Sequence, residues 1–97
     1  MSCDSEYPLL EVELPIVNET GLHARPCHAI AALASGFESS LFVACHNRQV
    51  DGKSILSLMT LSAAQGDQLR FRIQGQDGER LLEEISSLVA SGFQEMS

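Results

Sequence analysis

Two stretches of the chain set its architecture: Leu10-Glu11-Val12-Glu13-Leu14-Pro15-Ile16 and Leu69-Arg70-Phe71-Arg72-Ile73-Gln74. In each, apolar side chains alternate with polar or charged ones, the period of a strand that is packed on one face and wet on the other. The charges have one sign within each stretch and opposite signs between them. As neighbouring strands, the first and last of the sheet would set Glu11 and Glu13 across from Arg70 and Arg72, so the pattern predicts cross-strand pairs on an open face. Pro15 cannot donate a backbone hydrogen bond, which points to an edge position or a bulge for the first strand.

Working outward, Leu41, Val43 and Cys45 alternate with Phe42, Ala44 and His46, and Asn47-Arg48 turns the chain into a short segment containing Val50, a hairpin. Pro26, Ile30, Leu33, Ala34 and Phe37 recur at helical spacing up to the stop at Ser35-Gly36. Ser54 is placed to cap a second helical run, Ile55 to Leu61, which ends at Gln65-Gly66. Leu81, Leu82, Ile85, Leu88 and Val89 make a third helical stripe closed by Gly92. The order β-α-β-β-α-β-α predicts a two-layer α/β sandwich, a four-stranded antiparallel sheet with three helices on one face. In the second helix, Ile55, Leu56 and Met59 share one side while Leu58 and Leu61 share the other. A small domain covers only one of these. Leu58 and Leu61 are expected in the core, leaving Ile55, Leu56 and Met59 as an apolar patch of the kind that meets transient partners.

The 97 residues suit one domain, read as residues 10–97 after a loosely ordered lead-in of residues 1–9. Six basic against thirteen acidic side chains give a net charge of −7, the wrong sign for gripping nucleic acid. No apolar run approaches the ~20 residues of a membrane span, so no membrane insertion is expected. The acidic start of the chain lacks the positive flank of a secretory signal, and a cytoplasmic location follows. Cys3, Cys27 and Cys45 have no CxxC spacing and read as free thiols in a reducing compartment. Cys27 lies beside a helix N-terminus, where a thiol is either acidified by the dipole or inert through packing. Cys27-His28 and Cys45-His46 raise the question of a metal. Adjacent residues diverge by ~100° on a helix and point to opposite faces of a strand, so no metal site is expected.

The segment Gly21-Leu22-His23-Ala24-Arg25-Pro26 sets a histidine immediately before a helix and an arginine in its first turn. Free backbone N–H groups, the positive end of the helix dipole and a guanidinium fork all favour a phosphate there. A histidine nitrogen that attacks phosphorus forms a phosphoramidate, labile enough to pass its phosphoryl group onward. By spacing alone, a capping histidine with a solvated arginine fits equally. Together with Gly52-Lys53-Ser54-Ile55-Leu56-Ser57-Leu58-Met59, however, the segment resembles the HPr family, the histidine-containing phosphocarriers of the bacterial phosphoenolpyruvate-dependent phosphotransferase system, over Leu10 to Gly92.

The resemblance implies an open-faced β-sandwich and a carrier of phosphoryl groups in sugar transport rather than a turnover enzyme. It implies that His23 accepts phosphate on Nδ1 from enzyme I and passes it to enzyme II A components, with Arg25 steadying the phosphoryl group. Ala24 and Pro26 would join Ile55, Leu56 and Met59 in binding these partners. Ser54 matches the serine that a dedicated kinase phosphorylates, and a phosphorylase reverses, in some members; the phosphorylated form engages a transcriptional regulator in catabolite regulation. No cofactor is implied, and a monomer is expected. The ending Leu88-Val89-Ala90-Ser91-Gly92-Phe93 looks more like a nitrogen-related regulatory branch, and a non-phosphorylated docking module is the alternative from another class. Two departures stand out: Cys27 and His28 replace small residues, and Cys27 to Gly36 lacks the lysines with which relatives meet an acidic surface of enzyme I.

Overall fold

The two oppositely charged stretches lie side by side in the computed structural model, which describes residues 6–95. They form β1 (Leu10–Pro15) and β4 (Gln68–Gln74), paired antiparallel with Glu11 opposite Arg72 and Glu13 opposite Arg70. Arg72 Nε donates to Glu11 Oε2 at 2.7 Å, and an Arg70 guanidinium nitrogen lies 3.6 Å from Glu13 Oε2. The sheet is completed by β2 (Ser40–Cys45) and β3 (Arg48–Asp51) in the order β1-β4-β2-β3, every pair antiparallel. β1 is thus an edge strand, where Pro15 costs no interior ladder bond.

Between the strands run α1 (Ala24–Ser35), α2 (Ile55–Met59) and α3 (Gly78–Ala90), the expected order. Leu41, Val43, Leu69, Phe71 and Ile73 meet Ile30, Ala34, Leu58, Leu81, Ile85 and Val89 in one core. The opposite sheet face carries the charged pairs together with Phe42, Ala44 and Gln49. No helix among the described residues is long and apolar enough to cross a membrane.

Several details depart from the sequence expectation. On α1 the buried face runs through Pro26, Cys27, Ile30, Ala31 and Ala34, while Leu33 and Phe37 are half-buried. The second helix stops at Met59, although Leu61 still enters the core. The hairpin turns at His46 and Asn47, not at Asn47-Arg48: both have left-handed φ, 54° and 72°, and Arg48 already pairs with Cys45. This two-residue geometry matches the twist of the flanking strands. Nor does packing end at Gly92, because the chain adds a short turn, α4 (Gly92–Glu95), that drives Phe93 fully into the core. Within the lead-in, the carbonyl of Tyr7 accepts a 2.6 Å bond from Gln74 Nε2, tying it to β4. Residues 1–5, and with them Cys3, lie outside the described residues.

Asp77, just before α3, joins distant elements. Its carboxylate accepts the backbone N–H groups of Glu38 and Ser39, at 3.0 and 2.9 Å, and the Ser39 hydroxyl. Desolvation alone would push its pKa up, but the bonds from the Ser39 hydroxyl and the backbone outweigh it and hold the carboxyl below its ordinary value.

Candidate functional site

The loop ahead of α1 is built to present one imidazole. Asn18 is buried and its Nδ2 donates to the Gly21 carbonyl at 2.7 Å, while Gly21 N–H returns to the Asn18 carbonyl at 3.2 Å. Gly21 has φ of +70°, and a Cβ there would sit 2.7 Å from the Ala63 carbonyl oxygen, so only glycine fits. Leu22 is buried and its N–H bonds the same Ala63 carbonyl at 2.9 Å, clamping the loop to the segment before β4. Asn18 was not singled out from sequence. The signal available was an Asn-x-x-Gly turn, Asn18 to Gly21, separated from the histidine by Leu22 alone.

His23 is the N-cap residue of α1, with extended backbone and no side-chain bond to the helix. Its Nε2 is buried and has no hydrogen-bond partner among the described residues. The first helical bond runs from Cys27 N–H to the His23 carbonyl at 3.1 Å. The Ala24 and Arg25 amides therefore have no helical acceptor, and Pro26 has no N–H to satisfy. Arg25 is exposed and, among the described residues, makes no ion pair or hydrogen bond. Its side chain lines an open depression with Ala24, His28 and Ala29. Pro26 turns into the protein instead, so the partner contact expected of it is reduced to its margin.

Ser54 caps α2, its Oγ accepting from Ser57 N–H at 3.3 Å. α2 packs against α1. Leu58 and Leu61 are buried, and Leu56 and Met59 are 78% and 43% exposed. Ile55 differs from expectation: it is half-buried and packs against the core, so the outward patch centres on Leu56 and Met59.

Of the two readings of Cys27, the structure selects the inert one. The side chain is fully buried, its thiol is 3.9 Å from the Leu22 carbonyl, and desolvation pushes its pKa to about 11. Cys45 faces the core as expected, and burial followed by the charge of Asp67 raises its pKa as well. The argument against a metal fails at one of the two dipeptides. His46 lies in the left-handed turn rather than on the strand, so its ring comes round to the side of Cys45 and bonds Asp67.

Comparison with known proteins places this geometry. The family model described as PTS HPr component phosphorylation site matches residues 10–91. The chain belongs to the HPr family. A phosphocarrier protein HPr from Xylella fastidiosa is 37% identical over 87 residues, covering 90% of this chain and 98% of the relative. A phosphocarrier protein NPr from Shewanella violacea is 33% identical over 88 residues, 91% of this chain and 97% of the relative. The crystal structure of HPr-C-His from Thermoanaerobacter tengcongensis superposes with a TM-score of 0.85 at 36% identity, covering 91% of this chain and 99% of that one. The open sheet with its helices on one face is thus the HPr architecture.

Proposed function

We propose that His23 is the phosphoryl acceptor through which this HPr-family chain relays phosphate from enzyme I to enzyme II A components in the cytoplasm. The observation that carries the reading is the burial of Nε2 at the N-cap of α1: a nitrogen shut off from solvent cannot meet phosphorus, which leaves Nδ1 to react at a helix start whose first amides have no helical acceptor. The Nδ1 lone pair forms the N–P bond as the bond from phosphorus to the donor breaks, while the proton on Nε2 stays with the ring. The Ala24 and Arg25 amides and the Arg25 guanidinium receive the phosphoryl oxygens. The N–P bond then breaks in the reverse sense when an enzyme II nucleophile attacks. The chain supplies position and charge, and partners supply the remaining catalytic groups.

Leu56, Met59 and Ala24 are the contact residues of this reading, with Ile55 contributing its exposed part. Ser54 is proposed as a regulatory site for a serine kinase, its phosphorylation altering contacts with partners that include a transcriptional regulator. Incubation with phosphoenolpyruvate and enzyme I, followed by intact mass, tests the central claim. One added phosphate, stable in alkali, lost in acid and absent from His23→Ala, is expected. Phosphotransfer that persists in a folded His23→Ala protein would overturn it.

A further inference from the structure

A second chemically competent cluster lies where the β2–β3 hairpin approaches the start of β4. One ligand atom each from Cys45, His46 and Asp67 lie within 4.8 Å of one another. All three line one cavity. Each is held by a different local device. Cys45 is the last residue of β2, paired with Arg48. His46 is fixed by the left-handed hairpin turn, and its Nε2 lies 3.0 Å from Asp67 Oδ2. Asp67 is pinned on both sides: its carbonyl accepts from Ile16 N–H at 2.9 Å, its N–H donates to the Ala64 carbonyl at 3.0 Å, and Oδ2 accepts from Ala64 N–H at 2.8 Å.

We propose that Cys45, His46 and Asp67 form a binding site for a borderline divalent cation, with zinc(II) as the natural occupant and cobalt(II) as its spectroscopic stand-in. One sulfur, one imidazole nitrogen and one carboxylate oxygen are a zinc set, whereas calcium and magnesium take oxygen ligands. Zinc–ligand distances of about 2.0–2.3 Å at tetrahedral angles put neighbouring ligand atoms roughly 3.3–3.6 Å apart. The His46–Asp67 pair, at 3.0 Å, has to open by only a few tenths of an ångström, and the sulfur has to close by at most about 1.5 Å, a side-chain rotation. On binding, the thiol releases its proton to solvent, the neutral imidazole and the carboxylate coordinate, and water takes the fourth position. The Ala64 N–H remains on the carboxylate and orients it. Two arginines line the same cavity, but Arg48 Nε bonds Thr60 Oγ1 at 3.1 Å and Arg70 pairs with Glu13, so their charges are directed elsewhere.

The full chain, reduced and stripped of metal, is titrated with cobalt(II) without oxygen. The expected result is saturation at one equivalent, with a thiolate-to-cobalt charge-transfer band and visible bands of tetrahedral intensity, all bleached by zinc(II). Cys45→Ser should remove the charge-transfer band. His46→Asn and Asp67→Asn should each weaken cobalt at least about tenfold, because each removes or neutralises one of the protein ligands. Asn suits the left-handed turn, so the exposed position 46 gives a folded variant even if Cys45→Ser does not fold. Cys3→Ser and Cys27→Ser should leave the spectrum unchanged, and zinc should raise the melting temperature of the parent chain but not of His46→Asn. Absence of the charge-transfer band, its survival in a folded Cys45→Ser protein, or unchanged affinity in His46→Asn would reduce the cluster to a surface ion pair.

Discussion

At Cys27 a helix dipole and a dry environment pull one thiol in opposite directions, and the dry environment wins. Iodoacetamide should therefore leave Cys27 unmodified in the native protein at pH 8 and label it fully in denaturant, as peptide mapping after a timed reaction would show. Rapid native labelling would mean that the start of α1 opens readily. Beside it, Arg25 has no structural partner among the described residues, so removing it should spare the fold. Arg25→Ala is expected to slow phosphorylation by enzyme I roughly tenfold to a hundredfold, the worth of a charge-assisted bond, with an unchanged melting temperature. A drop in melting temperature of several degrees would give the arginine a structural role. Both residues stood in the sequence at a helix start, but only the burial of one and the exposure of the other separates their chemistry. Neighbours brought in from Leu22 and the sheet decide that, and local spacing carries no trace of them.

Elements in this chain are fixed to one another by a few polar clamps, of which Asp77 is the most consequential. Its folded carboxyl titrates below the ordinary value of 3.8, so the stabilisation it confers is complete above that value and is lost as pH falls through the folded pKa. Asp77→Asn should lower stability by roughly 1 kcal/mol at pH 7, since partial solvent access screens the charge-assisted bonds. The gap between variant and parent should then narrow in denaturant melts taken at successively lower pH below about 4. A gap independent of pH would show that shape rather than charge matters at this joint. The strands, the three main helices and the Glu–Arg ladder were all legible from periodicity, because amphipathic alternation is imposed by one core and one wet face. The His46–Asn47 turn was misplaced by one residue: Asn47-Arg48 also reads as a turn, and only the pairing of Cys45 with Arg48 sets the register.

For the whole molecule, the net charge of −7 and the absence of Lys and Arg from Cys27 to Gly36 imply, under the proposed function, that apolar contact carries partner recognition. Met59→Asp is expected to reduce the rate of phosphorylation by enzyme I at least tenfold, whereas a tenfold rise in salt should change it less than threefold. Steep salt dependence with a mild Met59→Asp effect would make the encounter electrostatic. Phe93, which closes the core from beyond the third helix, was not legible: a glycine followed by one aromatic residue has no period, and its burial depends on a left-handed φ of 59°. The strand order has a consequence for biosynthesis. β1 is synthesised first, yet its one hydrogen-bonded neighbour is β4, and the aromatic side chain that seals the interior comes later still. While a ribosome is extending the chain, the earliest strand has no ladder to join and its apolar face no lid. The nascent polypeptide must therefore keep Leu10 to Ile16 unpaired until nearly all of the domain has emerged, and native structure forms as a late, concerted event rather than by vectorial growth from the N-terminus.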